Sequence, residues 1–579
     1  MKTTKVPANW KRGNRQLNGF KFDLVLSYEL NDFMHEALLP ELFFWVESEG
    51  KRRSENLSLM CPDDLAQELL KKGQLESWAN CHQKLLQDWL EGFICKIGKV
   101  MKGQQKIIQF VYPFTYNSLR TTIAESNLVR KIPEFLYKVL LETGKHTKSE
   151  LRELFRYYFS KGLKIKQSSD GRPCLPDFYY DGKTPISPEI LLSVYASQQY
   201  DTPKVTSQEF EQLLPLNKTQ AMRIGNDILL FLRAYASYLP VQELIERLII
   251  LITFELWVYT LQIMNGIKKL ILEKKLPPFF ANNLPQFSTP DPFYVSCTDE
   301  PASVRIAKEM IQQHFSLIRE HIQNQILLRT ADYLLEEEAF DSVEIQNLLG
   351  RRKTDPWSYL EELIKWIDGN IGEGSNNILV NAARRKVREL NQYLINLLNE
   401  DTHQNNGGAA NSNSNFIAPT LVPFINVSNS SIIQLSQIIS FLQLKKAASN
   451  IEAFFKFSGN LEKENGFLRT LGRTKEGWYY YFSNDLLWVL VHLVAAKQVE
   501  DTGSTPKYLR LKSFLECLQR EYGVLIATMP RGYDQYIENM AIAEANKKAL
   551  QRKLAQMGLL KNLSDDFEAQ FIEISITQS

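Results

Sequence analysis

Lys507–Ile576, KYLRLKSFLECLQREYGVLIATMPRGYDQYIENMAIAEANKKALQRKLAQMGLLKNLSDDFEAQFIEISI, reads as a helix, an apolar strand, a basic helix and a hairpin. That order outlines a winged helix, a module that most often lays one helix in a DNA groove. The first helix is YLRLKSFLECLQREYG, and the apolar run Val524 to Ala527 follows it. The candidate reader spans about Glu544 to Met557. At about 100° per residue around Leu550, residues Asn546, Leu550, Leu554 and Met557 fall within about 40° of inward. Lys548, Arg552 and Ala555 fall on the outer face, with Gln551 on its flank. Lys and Arg neutralise phosphate or read guanine, Gln pairs with adenine, and Ala permits close approach. Gly558 ends the helix. Leu559 to Leu563 and Phe567 to Ile576 are expected to pair as the wing. The turn Ser564-Asp565-Asp566 is acidic, which argues against deep phosphate contact at the wing tip.

Working outward, Ser431 to Phe457 reads as a helix, and Gly466 to Phe482 as a hairpin turning at Thr474-Lys475-Glu476-Gly477. Ser483 is placed to cap the next helix. Arg469, Arg473 and Lys475 stand beside Trp478 and Tyr479, an interleaving that suits a nucleic-acid backbone and stacked bases. The plainer reading is a twisted hairpin with its aromatics packed inward. Residues 401–415 contain HQNNGGAANSNSN, which has nothing to bury and reads as a flexible linker. The expected organisation is therefore mainly α and multidomain. A basic arm (1–22) precedes a mostly helical domain (23–200) and a helical domain (201–400). The linker and an α+β winged-helix unit (416–579) follow. The helix before the linker carries Arg384, Arg385 and Arg388, further candidates for backbone contact.

The pattern LGRTKEGWYYYFSNDLLWVLVHLV, followed by the two helices and the hairpin above, resembles the ends of proteins from bacterial antiphage defence clusters. Those of methylation-associated defence systems are most similar. The resemblance covers roughly Phe467 to Ile572 and rests on the texture of winged-helix segments. It implies a non-catalytic partner of a helicase, methyltransferase or nuclease.

Composition limits the alternatives. Among 579 residues, 44% hydrophobic and 23% charged content is that of a folded chain, and the net charge of +2 requires any nucleic-acid contact to come from local patches. Six scattered cysteines without a CxxC pair argue against a disulfide framework or structural zinc. Leu248 to Ile267 is the most apolar window, but Glu255, Gln262 and Asn265 make it a buried core helix rather than a membrane span. With no charged-then-apolar signal at the start, the cytoplasm is the expected location.

Catalytic patterns are sparse. Gly144-Lys145 and Gly182-Lys183 lack the leading glycine of a phosphate-binding loop, since Val139 and Asp177 stand there. Asp177 and Asp181-x-Lys183 have the letters of a metal-dependent nuclease, but only four positions separate the acids. His314 and His321 share a helix face and read as a solvated or partner-facing pair, while His492 reads as a core histidine. No metal or cofactor is expected. The sequence thus favours a non-catalytic, DNA-binding accessory subunit of a DNA-processing or defence complex. A protein-binding scaffold and a divergent metal-dependent nuclease stand as alternatives.

Overall fold

The computed structural model describes residues 11–12, 15–16, 26–54, 60–71, 83–98, 106–121, 129–166, 175–209, 218–273, 291–338, 343–369, 378–405, 421–425, 431–502, 508–561 and 570–574. The chain is mainly helical, with short two- and three-stranded sheets. The basic arm lies mostly outside the described residues, apart from the antiparallel pair Lys11–Arg12 and Arg15–Gln16.

Apolar spacing and capping account for the helices. Thr147 and Glu150 form a capping box: the Glu150 N–H donates to Thr147 Oγ1 (3.2 Å) and the Thr147 N–H to Glu150 Oε2 (2.7 Å). The apolar segment Tyr28–Trp45 becomes α-helical only at Leu38. Its helix is Leu38–Glu47, with Pro40 in the first turn, where a missing N–H costs nothing. The apolar window lies within Val241–Glu273, a helix buried along residues 248–264. No helix among the described residues is long and apolar enough to cross a membrane.

Glu255 interrupts that window because it has partners. Its Oε2 is 2.9 Å from Arg223 Nη2, and Arg223 also donates to the Glu521 carbonyl. Beside them Lys497 lies 2.7 Å from Asp227 and pairs with Glu521, while the Tyr522 hydroxyl donates to Asp227 (2.7 Å). Burial pushes Glu255 well above the usual carboxylate range, with Arg223 offsetting part of the effect. Burial opposes ionisation of Asp227 as well, but Lys497, a hydrogen bond with Glu255 and Arg223 outweigh it and hold Asp227 low. This cluster ties helices Lys218–Tyr235, Val241–Glu273, Asn484–Thr502 and Leu511–Tyr522 together.

A division was expected at 401–415, and the apolar core among the described residues is continuous across it. One cluster runs from Leu26 to Ile572 and joins Phe454 and Phe455 to Tyr28 and Trp257. Of the expected linker, Asp401 to Asn405 continue the Ile378–Asn405 helix, and 406–415 lie outside the described residues. A smaller cluster around Leu65, Leu86 and Leu90 sits under the amino-terminal half. The helix read over Ser431 to Phe457 spans Ser431–Ser458, and the hairpin pairs Leu468–Thr470 with Trp478–Tyr480.

Beyond residue 507 the expected first helix is shorter than its apolar pattern suggested. Tyr508–Arg510 is a strand, and the helix is Leu511–Tyr522, closed by Gly523 at φ +70°. Val524–Leu525 leaves the module altogether: it pairs in parallel with Phe293–Tyr294, more than two hundred positions away. The Ile537–Gln556 helix follows. Leu560–Lys561 then pairs antiparallel with Phe571–Glu573, which also pairs with Tyr508–Arg510, so the first strand lies against the last. The expected wing turn, Ser564-Asp565-Asp566, lies outside the described residues.

Candidate nucleic-acid interface

The Ile537–Gln556 helix begins seven positions before the expected Glu544. Its inward stripe is Ala543, Asn546, Leu550 and Leu554, all buried, and Gly558 at φ +74° stops it. Lys548, Arg552 and Ala555 are exposed. Neither Lys548 nor Arg552 forms an ion pair with a carboxylate among the described residues; Arg552 Nε makes only a long bond (3.4 Å) to the Lys548 carbonyl. Gln551 is half-buried and bonded to Gln570, which ties the helix flank to the sheet and limits that side chain's reach.

Asn546 does more than face inward. Its Oδ1 accepts from the Cys297 N–H (2.7 Å), and its Nδ2 donates to the Val295 (2.9 Å) and Ile526 (3.1 Å) carbonyls. It thereby satisfies the edges of the parallel pair and clips the helix to it. Lys553 was missed by the sequence reading. It lies about 60° from inward on the wheel, a border position. Its ammonium donates to the Phe482 carbonyl and sits 4.1 Å over the Tyr481 ring.

The hairpin follows the plainer reading of its aromatics. Trp478, Tyr479 and Tyr480 are buried at 8%, 4% and 0% exposure, so those rings are not open to stack on bases. Arg469 lies 3.3 Å from Asp299 with its guanidinium 3.6 Å over Tyr481, and Lys475 pairs with Glu452. Arg473 is exposed at the turn. Arg384, Arg385 and Arg388 are exposed on the Ile378–Asn405 helix. Arg384 donates to Ser431 (3.3 Å), and Arg385 lies 3.8 Å from Glu337. Of all these, the fold brings Arg469 and Arg552 together: both line a cleft of 610 Å³ with Lys553, Tyr481 and the start of the Asn484–Thr502 helix.

The other sequence candidates have structural duties. Asp177 pairs with Arg120 (2.9 Å) and accepts from Thr202 (2.7 Å). It lies in a strand, Asp177–Tyr180, which pairs with Leu163–Lys166. Asp181 accepts from the Lys183 and Thr184 N–H groups and the Thr184 hydroxyl, which hold its carboxyl down to about 2. A metal would have to displace these bonds. His314 and His321 are not a solvated pair. His314 bonds the hairpin's Tyr480 hydroxyl, and His321 is fully buried. His492 is the expected core histidine, its Nδ1 2.8 Å from the Trp488 carbonyl and its ring stacked on that indole. Four of the cysteines, Cys61, Cys95, Cys297 and Cys517, are buried and free; Cys81 and Cys174 lie outside the described residues.

No curated protein and no solved structure matches the chain. A family model does: that of methylation-associated defense system protein MAD7 matches residues 15–574, nearly the whole length, and the chain belongs to that family.

Proposed function

We propose that this defence protein is a non-catalytic, DNA-binding accessory subunit whose carboxy-terminal module is a winged helix. The element order supports the fold reading: helix Asn484–Thr502, strand, helix Leu511–Tyr522, helix Ile537–Gln556, then a hairpin whose last strand pairs with the first. One observation carries the functional reading. Lys548 and Arg552 stand one turn apart on the outer face of the reader helix, exposed and without a carboxylate to neutralise them among the described residues. Phosphates supply that neutralisation on a duplex. Arg473 at the hairpin turn, with Arg384, Arg385 and Arg388, extends the basic surface. Catalysis then belongs to partner subunits such as a helicase, methyltransferase or nuclease, and the assembly works in the cytoplasm. Fluorescence anisotropy with labelled duplex from about 50 to 200 mM salt tests this, because several phosphate contacts give a steep salt dependence over that range. Binding that survives Lys548→Ala and Arg552→Ala with an unchanged salt slope would remove this surface from the reading.

A scaffold reading has its own observation. At the start of the same helix Tyr536, Ile537 and Met540 are 63%, 86% and 61% exposed, an apolar patch suited to a protein partner. Partners that stay bound to the purified chain after nuclease treatment, and leave when Ile537 and Met540 become Ser, would favour docking over groove binding.

A further inference from the structure

Lys553 is a charge without an obvious reason. Its side chain is only 9% exposed, it gives one hydrogen bond to the Phe482 carbonyl, and no carboxylate pairs with it among the described residues. Lys386, equally enclosed, and Lys497, somewhat less so, each have two acidic partners. A buried ammonium with spare donors and no counter-ion is costly, and such groups persist where a ligand completes them.

Lys553 lines the 610 Å³ cleft, and the charges around that cleft can be reckoned pair by pair. Arg469 is offset by Asp299 (3.3 Å), and Asp485 by Arg247 (2.6 Å). Glu464 opposes one of the two remaining cations, Arg552 and Lys553, so the cleft keeps an excess of positive charge. Tyr481 holds both Arg469 (3.6 Å) and Lys553 (4.1 Å) against its ring and fixes their spacing. Ser483, Asn484 and Asp485 bring the first turn of the Asn484–Thr502 helix to the same wall, and helix starts favour anions.

We infer that this cleft is a phosphate-binding site, with Lys553 and Arg552 receiving the phosphate oxygens and Arg469 and the helix start at its rim. The phosphate belongs either to a nucleic-acid strand or to a free mononucleotide; both present the same group. The site does not depend on groove reading by Lys548, which is not among the residues lining the cleft.

Calorimetric titration of the full chain at fixed ionic strength tests it, with inorganic phosphate, AMP, and a short single strand with and without a 5′-phosphate as probes. Binding of phosphate-bearing probes is expected. A strand that binds more tightly than AMP identifies the source as nucleic acid, and the reverse order identifies a free nucleotide. Lys553→Met and Arg469→Gln should each weaken binding about tenfold or more. Arg469 is part-exposed, so its variant decides alone if Lys553→Met fails to fold. No heat from any probe up to ~10 mM, or unchanged affinity in Arg469→Gln, overturns the assignment. Duplex DNA that fails to bind while phosphate still does would end the groove reading and leave this site standing.

Discussion

The Arg223–Glu255–Asp227–Lys497 cluster and the outer face of the Ile537–Gln556 helix carry the same kinds of charge and use them in opposite ways. Inside, each cation has a carboxylate within hydrogen-bonding reach, and four helices meet around them. Outside, Lys548 and Arg552 have no such partner among the described residues. Paired buried charge is costly to break but specifies how elements meet. Unpaired exposed charge contributes little to folding. The first region therefore concerns the fold, and the second concerns whatever meets the surface.

The largest way to test the inner half of that contrast is acid. Burial pulls His35, His314 and His492 down to about 4, and His321 to about 3. All four are neutral in the native state, whereas the unfolded chain takes up protons near pH 6.5. Their contribution is fully present above that value and is lost as pH falls through about 4. Each accounts for on the order of 3 kcal/mol when fully expressed. Asp227 and Glu521, both held low, add losses below their unfolded range, while Glu255, held high, favours the acid side. Urea unfolding should show a midpoint that is level near pH 7 and falls steeply by about pH 4.5. A level midpoint across that interval would mean that the histidines are not buried as described.

Arg223→Met comes next. It leaves Glu255 facing the orphaned half of the cluster and should cost about 3–5 kcal/mol in urea unfolding. A loss under about 1 kcal/mol would show that the cluster is dispensable and break the comparison. Asn546→Leu should follow at about 2–3 kcal/mol, because it strips the Cys297 N–H and the Val295 and Ile526 carbonyls of their partner in a dry site.

Why Glu255 and Asn546 could be placed inside but not explained shows where sequence reading stops. The apolar window Leu248 to Ile267 marked the helix around Glu255 as buried, and periodicity around Leu550 put Asn546 inward. Their partners, Arg223 and the 295–297 backbone, lie thirty-two and about two hundred and fifty positions away, and no local pattern connects them. The same distance hid the parallel pairing of Val524–Leu525 with Phe293–Tyr294. Turn and cap chemistry was legible wherever it is local, as at Ser483, Gly558 and the hairpin ending at Tyr480. The outward placement of Lys548 and Arg552 followed from 3.6-residue spacing alone. Lys553 did not, since its border position becomes a cleft only when the hairpin and the Asn484–Thr502 helix arrive.

The smallest effect on stability should come from the outer face, and that makes it the sharpest test of the contrast. Lys548→Ala and Arg552→Ala break no ion pair among the described residues, so together they should change unfolding by no more than about 0.5 kcal/mol. In the same preparation the log–log salt slope for duplex binding should fall by roughly 0.9 for each phosphate contact removed. The two measurements must separate. A stable double variant with a reduced slope places these charges at the partner's surface. If stability falls together with binding, the charges belong with the inner cluster, and the outer face loses its claim to be a reader.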